Sequence, residues 1–407
     1  MQRTSRKKGH IVKHIKYPID AYKATVRTQH NKVPRVPVLS STGKPLMPCS
    51  PARARELVRN GLAVKRWLKG IFCIQLTQRA DGDVQVAAIG VDPGSKMCGY
   101  SVKSPDHTFI NIQSPAKDGK AVSRAIKARA MARRNRRNRN TPCRPPRFNN
   151  RSKARWAPPS TKARWQHIYN IIAMLCRLYP ITHVVVEDVK AKTRPGKDRW
   201  NNSFSPLMAG KNWLYSQLKL LGLELHLAEG YQTAELRQIH GLKKNPAKLV
   251  YDFYTHAVDA WVLANAITEG HLYPDMVQLT KLMRPEYSRR QLHYFNYIKG
   301  SVRRKYGGSV LPDGIYKGTL VRYSNPKHRG HGHLAIVSGY SENKGYSLNY
   351  INGTGRYTQT AKLNHFRLIY RLKWLWLHPC SYMGYSSRSS YARDIVNGPS
   401  VVTKQYQ

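Results

Sequence analysis

Acidic residues are what this sequence has least of. Among 407 residues, 21 are Asp or Glu against 70 Lys or Arg, a formal net charge of +49. Between Asp118 and Glu187 there is no acid at all. Such an excess opposes compaction unless a polyanion neutralises it, and nucleic acid is the obvious polyanion, bound through its phosphates with release of counterions. Cysteine is scarce as well. Cys49, Cys73, Cys98, Cys143, Cys176 and Cys380 form no C-x-x-C pair, which argues against a zinc ribbon and against a disulfide framework, and points to a reducing cytoplasm. No apolar run approaches the ~18 residues of a membrane span. The opening stretch, basic and broken by His10 and His14, lacks the apolar segment of a signal peptide.

What is present suffices for a core. Hydrophobic residues make up 41% of the chain, too many for a wholly disordered one, and the length allows two or three domains. Residues 1–32 are basic and weakly patterned. A short strand at 36–39, an extended Pro45-Leu46-Met47-Pro48 and a helix from Ser50 to about Asn60 follow. Ser50 fits the N-cap, Pro51 the first helical position, and Asn60-Gly61 the stop. A further strand is expected over 71–78. Three strands are predicted at 84–92, 97–103 and 108–112, joined by turns short enough to favour antiparallel hairpins.

The pattern then changes. The stretch 120–139, KAVSRAIKARAMARRNRRNR, is rich in helix formers, but its charges spread around the axis. Such a helix repels itself and is more easily understood embedded in nucleic acid than packed on protein. Pro142, Pro145 and Pro146 end it. Apolar periodicity predicts a helix over 161–178, a strand over 181–190, a loop over 191–210, a helix over 211–221, a strand over 223–228 and a long helix over 246–267. The order fits an α/β domain with a mixed sheet. The last third is richer in Tyr, Gly and β-branched residues, and its short alternating runs at 318–323, 332–340, 347–351 and 366–372 suggest a small β-domain.

The few acids are placed oddly. Asp92 ends the apolar strand AIGVD, Glu187 and Asp188 end HVVVED, and Asp259 sits inside YDFYTHAVDAWVLANAI. His256 lies three residues before Asp259, on the same helical face. Strand ends that neighbour each other in one sheet bring Asp92 and Glu187 together, and a helix crossing that edge adds Asp259 and His256. Carboxylates so close repel, and divalent cations resolve the repulsion. Hard oxygen ligands suit Mg²⁺ or Mn²⁺, and two ions ~4 Å apart activate water and stabilise the leaving oxygen of a phosphodiester. Taken singly, Asp92-Pro93-Gly94 also reads as an ordinary turn, Asp188 competes with Glu187, Asp252 competes with Asp259, and His256 also reads as a core histidine.

The segments 89-IGVDPGSK-96, 184-VVVEDVKA-191 and 256-HAVDAWVLA-264 resemble the three split segments of a RuvC nuclease, an RNase H-like fold. The basic 124–139 stretch is similar to the arginine-rich bridge helix of CRISPR effectors and their transposon-encoded relatives. Residues 36–63, with Pro-Leu-Met-Pro, look like the domain named for that motif, and 289-RRQLH-293 and 303-RRKYGGS-309 are similar to later family segments. The resemblance spans about residues 33–325 and is nearest to IscB and IsrB. Only 68 residues separate Glu187 from His256, with His226 and His240 the only histidines among them. They hold no recognisable HNH nuclease, so the pattern looks like IsrB. His226, inside an alternating strand, is expected to be a sheet residue.

The resemblance implies a mixed α/β RNase H-like sheet split by a bridge helix. The expected domains are a basic extension (1–32), a Pro-Leu-Met-Pro domain (33–83), RuvC segments at 84–118, 148–210 and 211–273 with the bridge helix (119–147) between the first two, and a β-rich domain (274–407) that reads a short DNA motif beside the target. It implies a RuvC site of Asp92, Glu187, His256 and Asp259 holding two Mg²⁺ or Mn²⁺ ions and no zinc, with His256 as ligand or general base. Nucleic-acid contacts are expected from Arg124, Lys127, Arg129, Arg133, Arg134, Arg136, Arg137, Arg139, Arg289, Arg290, Arg303 and Arg304. The implied activity is an RNA-guided DNA nickase, a monomeric ribonucleoprotein with a transposon-encoded guide (omega) RNA. It would cut the non-target strand of matching double-stranded DNA in a prokaryotic cytoplasm, associated with the nucleoid when bound to DNA and with no membrane partner. Two other readings stand beside it: an inactive guide-RNA-binding regulator, and an RNA-independent RuvC-like junction nuclease.

Overall fold

The structure, a computed structural model, describes residues 35–68, 70–139, 157–188, 206–283, 310–328, 331–351, 355–371 and 375–377. Two compact units are present. One carries the described residues up to Arg66 and from Phe72 to Lys281; the other carries Leu282–Leu377 and the turn Trp67–Ile71.

The first unit opens with a four-stranded sheet of β1 (Val36–Leu39), β2 (Pro45–Cys49), β3 (Ala63–Leu68) and β4 (Ile71–Leu76), in the order β2-β1-β4-β3. Pro-Leu-Met-Pro forms β2 at the sheet edge, where a strand tolerates residues that cannot donate to the ladder. Its alternation sends Leu46 inward against Val38, Ala54, Ala63 and Ile74. Helix α1 (Pro51–Arg59) starts as expected, with the Ser50 side chain accepting from the Arg53 N–H at 3.2 Å.

The main sheet starts with a meander of β5 (Ala88–Asp92), β6 (Met97–Lys103) and β7 (Thr108–Pro115), each pair antiparallel. Strand β8 (His183–Glu187) then lies parallel to β5, and β9 (Glu224–Ala228) parallel to β8. Strand β10 (Leu279–Met283) adds parallel to β7 through Leu279–Lys281, giving β10-β7-β6-β5-β8-β9 within this unit. Counted in chain order, the first five strands run 3-2-1-4-5, and with their intervening helices they form an RNase H-like mixed α/β fold. The helices are α2 (Gly119–Asn138), α3 (Pro159–Leu175), α4 (Pro206–Leu220), α5 (Gly230–Ile239) and α6 (Val258–Thr268), the last entered through a π-helical turn, Phe253–Ala257. No described helix is long and apolar enough to cross a membrane.

Strand β5 is buried along its whole length. The face it shares with Val185 of β8 is covered by α6, whose Val258, Trp261 and Val262 pack there. That packing is unusually close. A Cβ on Gly90 would lie 1.8 Å from the Ala260 carbonyl oxygen, and one on Gly99 of β6 would lie 2.2 Å from that of His256. Both neighbours are backbone and cannot swing aside.

The sequence pattern misjudged several boundaries. The long helix expected over 246–267 does not form: residues 246–252 are irregular, the π turn follows, and α6 begins only at Val258. The loop is folded back by bonds from Asn245 N to the Tyr254 carbonyl and between His256 Nε2 and the Lys248 carbonyl, and it leaves Leu249 and Val250 exposed. Strand β5 begins at Ala88, not residue 84, because Val84 and Val86 face solvent. Strands β3 and β10 and helix α5 were not anticipated.

The second unit is an antiparallel sheet of β11 (Thr319–Tyr323), β12 (Leu334–Ser341), β13 (Gly345–Tyr350), β14 (Arg356–Ala361) and β15 (Phe366–Arg371), ordered β14-β13-β12-β11-β15. Its core includes Val321, Tyr323, Val337, Tyr346, Leu348 and Phe366. The alternating runs of the sequence fall on β11, β12, β13 and β15; β14 was not foreseen.

The close seat of α6 gives a first prediction. Gly90→Ala should cost at least ~3 kcal/mol, above the usual overpacking cost because backbone must move. Thermal unfolding of the full chain reads it, and an unchanged Tm would mean that α6 does not lie on β5 as described.

Candidate metal centre at the ends of β5 and β8

The parallel pairing sets Val91 opposite Val186. One step further, Asp92 and Glu187 leave adjacent strand ends on the same face, the face that Gly90 and α6 share. Asp92 is 5% exposed. The turn that follows it is held by Arg164 of α3, whose guanidinium donates to the Pro93 and Gly94 carbonyls at 2.8 and 3.1 Å. Glu187 lies near enough to Asp92 for the Asp92 charge to act on it. His256, carried in by the π turn, places Nδ1 2.8 Å from Asp92 Oδ2. Its Nε2 faces the Lys248 carbonyl at 3.2 Å. A carbonyl only accepts, so Nε2 carries a hydrogen and Nδ1 is the nitrogen turned to the carboxylates.

Asp259 lies close enough for its charge to act on Glu187. Its own oxygens, however, are taken by Arg237 of α5 and by Lys244 in the loop beyond. Thus Asp92 is bonded to His256, with Glu187 on the neighbouring strand end, while Asp259 is bound to two cations. The rival residues lie elsewhere. Asp188 turns to Lys211 and to the Tyr215 hydroxyl, 2.9 Å away, and Asp252 stands before the π turn with no side-chain cap bond.

The electrostatics are those of a site short of positive charge. Burial, then the charge and hydrogen bond of Asp92, then the charge of Asp259 push the Glu187 carboxyl up to about 8, with Lys244 acting against them. Burial and the Asp92 charge push the Cys98 thiol up to about 12. A hard divalent ion would let Asp92 and Glu187 ionise together, and carboxylate oxygens with one imidazole nitrogen are donors that Mg²⁺ or Mn²⁺ accept. The donor set therefore fits the metal.

Helix α2 matches the expectation of charge on all sides. Arg124, Lys127, Arg129, Arg133, Arg134, Arg137 and the capping Arg139 are exposed, and Asp118 caps its start by accepting from Lys120 N at 2.8 Å. Arg136 belongs to the same helix; its side chain, and Arg289, Arg290, Arg303 and Arg304 entirely, lie outside the described residues. Sequence reasoning missed Arg164, Arg237, Lys244 and Lys211. A general signal existed for two of them, Arg237 and Lys244: in a chain so poor in acids, each buried carboxylate demands a cation, and GLKK at 241–244 and the Arg in TAELRQ were the nearest supply.

Residues 36–199 match the family described as RRXRR protein; within that range the chain reads Arg133-Arg134-Asn135-Arg136-Arg137. No curated protein matches the chain significantly. Among solved structures, the chain is similar to T. thermophilus RuvC in complex with a Holliday junction substrate, at 13% identity over 45% of this chain and 92% of that one, with a TM-score of 0.25. A second Thermus thermophilus RuvC structure is 13% identical over 44% and 92%, with a TM-score of 0.23. The fold assignment rests on the strand order of the chain itself.

Two outcomes follow from the charge balance. Glu187→Gln should raise the Tm of metal-free protein by several degrees and shrink the gain that Mg²⁺ gives the unaltered chain; calorimetry with and without Mg²⁺ checks both. Asp188→Asn should lower the Tm, because Lys211 is buried against it, yet leave the Mg²⁺-induced gain in place.

Proposed function

We propose that the chain is a metal-dependent nuclease of the RuvC type and, more specifically, an RNA-guided DNA nickase similar to IsrB. The observation that carries this reading is the Asp92–His256 pair at the end of β5, with Glu187 at the end of the adjacent parallel strand and Asp259 near enough to act on Glu187. A core protein that merely packs RNA has no use for buried acids there. The exposed arginines of α2 supply a phosphate-binding surface suited to guide RNA. The span from Glu187 to His256 supports a single cutting centre: its described residues are used by α4, β9 and α5, and His240 is occupied by the Leu272 carbonyl at 2.7 Å.

The residues that would hold the metal are Asp92, Glu187 and Asp259, with His256 as a fourth ligand or a base. Bound there, Mg²⁺ or Mn²⁺ supplies positive charge to the scissile phosphate and acidifies the attacking water. The protein's own part is positional. Arg164 fixes the turn behind Asp92, and the Lys248 carbonyl orients His256 so that Nδ1 is the atom able to take a proton. Water adds its oxygen to phosphorus, the O3′–P bond breaks, and the leaving O3′ gains a proton, giving 5′-phosphate and 3′-hydroxyl ends. Guide RNA pairing reads the target sequence, and the second unit is the candidate reader of a flanking DNA motif.

Purified protein should carry a discrete structured RNA. With a reprogrammed guide and Mg²⁺ it should nick supercoiled plasmid, and Asp92→Ala should reduce nicking at least ~1,000-fold, the scale of losing an essential catalytic group. Mainly linear product would contradict the nickase. Cleavage of branched junctions without RNA would favour the junction nuclease, and RNA-dependent binding without any cutting would favour the regulator.

A further inference from the structure

The opposite end of β8 carries a second group of metal-type donors that the nuclease reading does not use. His183 opens β8, and the parallel register sets it directly across from Glu224 on β9. His226 is two residues beyond Glu224 and so projects from the same face. The three donor atoms lie within 4.8 Å of one another. His183 Nε2 is 3.2 Å from Glu224 Oε2, and His226 Nε2 is 3.4 Å from Glu224 Oε1. Ligands held ~2.1 Å from a tetrahedral ion stand ~3.4 Å apart, close to the spacing each imidazole keeps to one oxygen of Glu224. The two rings stack with centroids 5.5 Å apart and planes 12° from parallel.

The hydrogen bonding leaves the centre of this group open. His226 Nε2 is buried and has no hydrogen-bond partner. The Thr182 hydroxyl lies 2.7 Å from His183 Nδ1 and 3.2 Å from the Ala87 carbonyl. With its hydrogen on that carbonyl, Thr182 accepts from Nδ1–H, and Nε2 turns its lone pair toward Glu224. That is the outer-shell arrangement that orients a metal-binding histidine. Burial also lowers the His226 pKa, against the Glu224 charge, and a neutral ring is the form that ligates.

We propose that His183, Glu224 and His226 form a site for one borderline divalent cation such as Zn²⁺, with water completing the coordination and the ion stapling the edge strand β9 to β8. His226 is a sheet residue of β9, as expected, and the proposed site would give that strand a zinc role that the sequence reading did not assign. It stands independently of the nuclease reading, since it shares no residue with Asp92, Glu187, His256 or Asp259.

The test is a Co²⁺ titration of the full-length protein in excess Mg²⁺, which occupies the oxygen-rich centre. The expected result is an intense visible ligand-field band saturating at one equivalent and displaced by Zn²⁺. Asp92→Ala should keep the band, while His226→Gln and Glu224→Gln should each weaken binding at least ~10-fold, in line with losing a ligand. Zn²⁺ should also raise the Tm of the unaltered chain and of Asp92→Ala, but not of the two ligand variants. Only the weak band of hydrated Co²⁺ in the unaltered protein would overturn the proposal and leave a proton as what the carboxylate and imidazoles share. So would a strong band that survives both ligand substitutions or disappears with Asp92→Ala.

Discussion

The approach of one backbone to another governs this site. Without side chains at Gly90 and Gly99, the carbonyls of Ala260 and His256 lie where Cβ atoms would otherwise stand. Helix α6 therefore rests on the sheet at backbone distance, and the π turn before it carries His256 over the end of β5. A helix held at the ordinary interval by intervening side chains would leave the imidazole short of Asp92. Trp261, fully buried in the first turn of α6, secures the seat, and its indole N–H donates to the Thr108 hydroxyl at 3.0 Å. The hydrophobic contact and the functional geometry are thus one arrangement: packing that fixes α6 also fixes the distance from imidazole to carboxylate.

Around that seat the charges sort by need. Asp188, one residue after Glu187, is neutralised by Lys211 and Tyr215 and serves the fold. Among the described residues Glu187 forms no ion pair with Lys or Arg, and the Asp92 charge acts against its ionisation. Two neighbouring acids on one strand end therefore face opposite environments, one balanced and one strained, and the alternation of side chains along β8 makes the division. Carboxylates held in this way are common at functional sites, which is one reason Glu187 is a candidate.

Much of the fold was legible in the chain. The meander, β8, β9 and α3 announced themselves through alternation, helical periodicity and Pro or Gly stops. The long helix over 246–267 did not survive, because periodicity cannot register a π turn: one extra residue shifts the phase while the residues on either side remain apolar. Strand β10 escaped because its partner, β7, lies far away in the chain. At the site, Asp92 and Glu187 stood out as acids ending apolar strands, Asp259 as an acid inside an apolar helical run, and His256 through its spacing from Asp259; the resemblance joined them into one set. The preference for Glu187 over Asp188 needed the resemblance, and the structure gives it a physical basis in Lys211. The cations on Asp259 had only the general signal that a buried acid needs a counterion; lysine and arginine are everywhere in this sequence, and only distance singles out Arg237 and Lys244.

Those two cations also decide how an ion would enter. Because Arg237 and Lys244 already balance Asp259, the chain can complete its fold with internal counterions and no metal. Loading then becomes an exchange rather than a capture. An ion binding at Asp259 would have to displace fixed positive charge from a buried carboxylate, and a singly charged ion would return too little for what it displaced. The same contact would then act as a valence filter, favouring doubly charged ions over sodium and potassium.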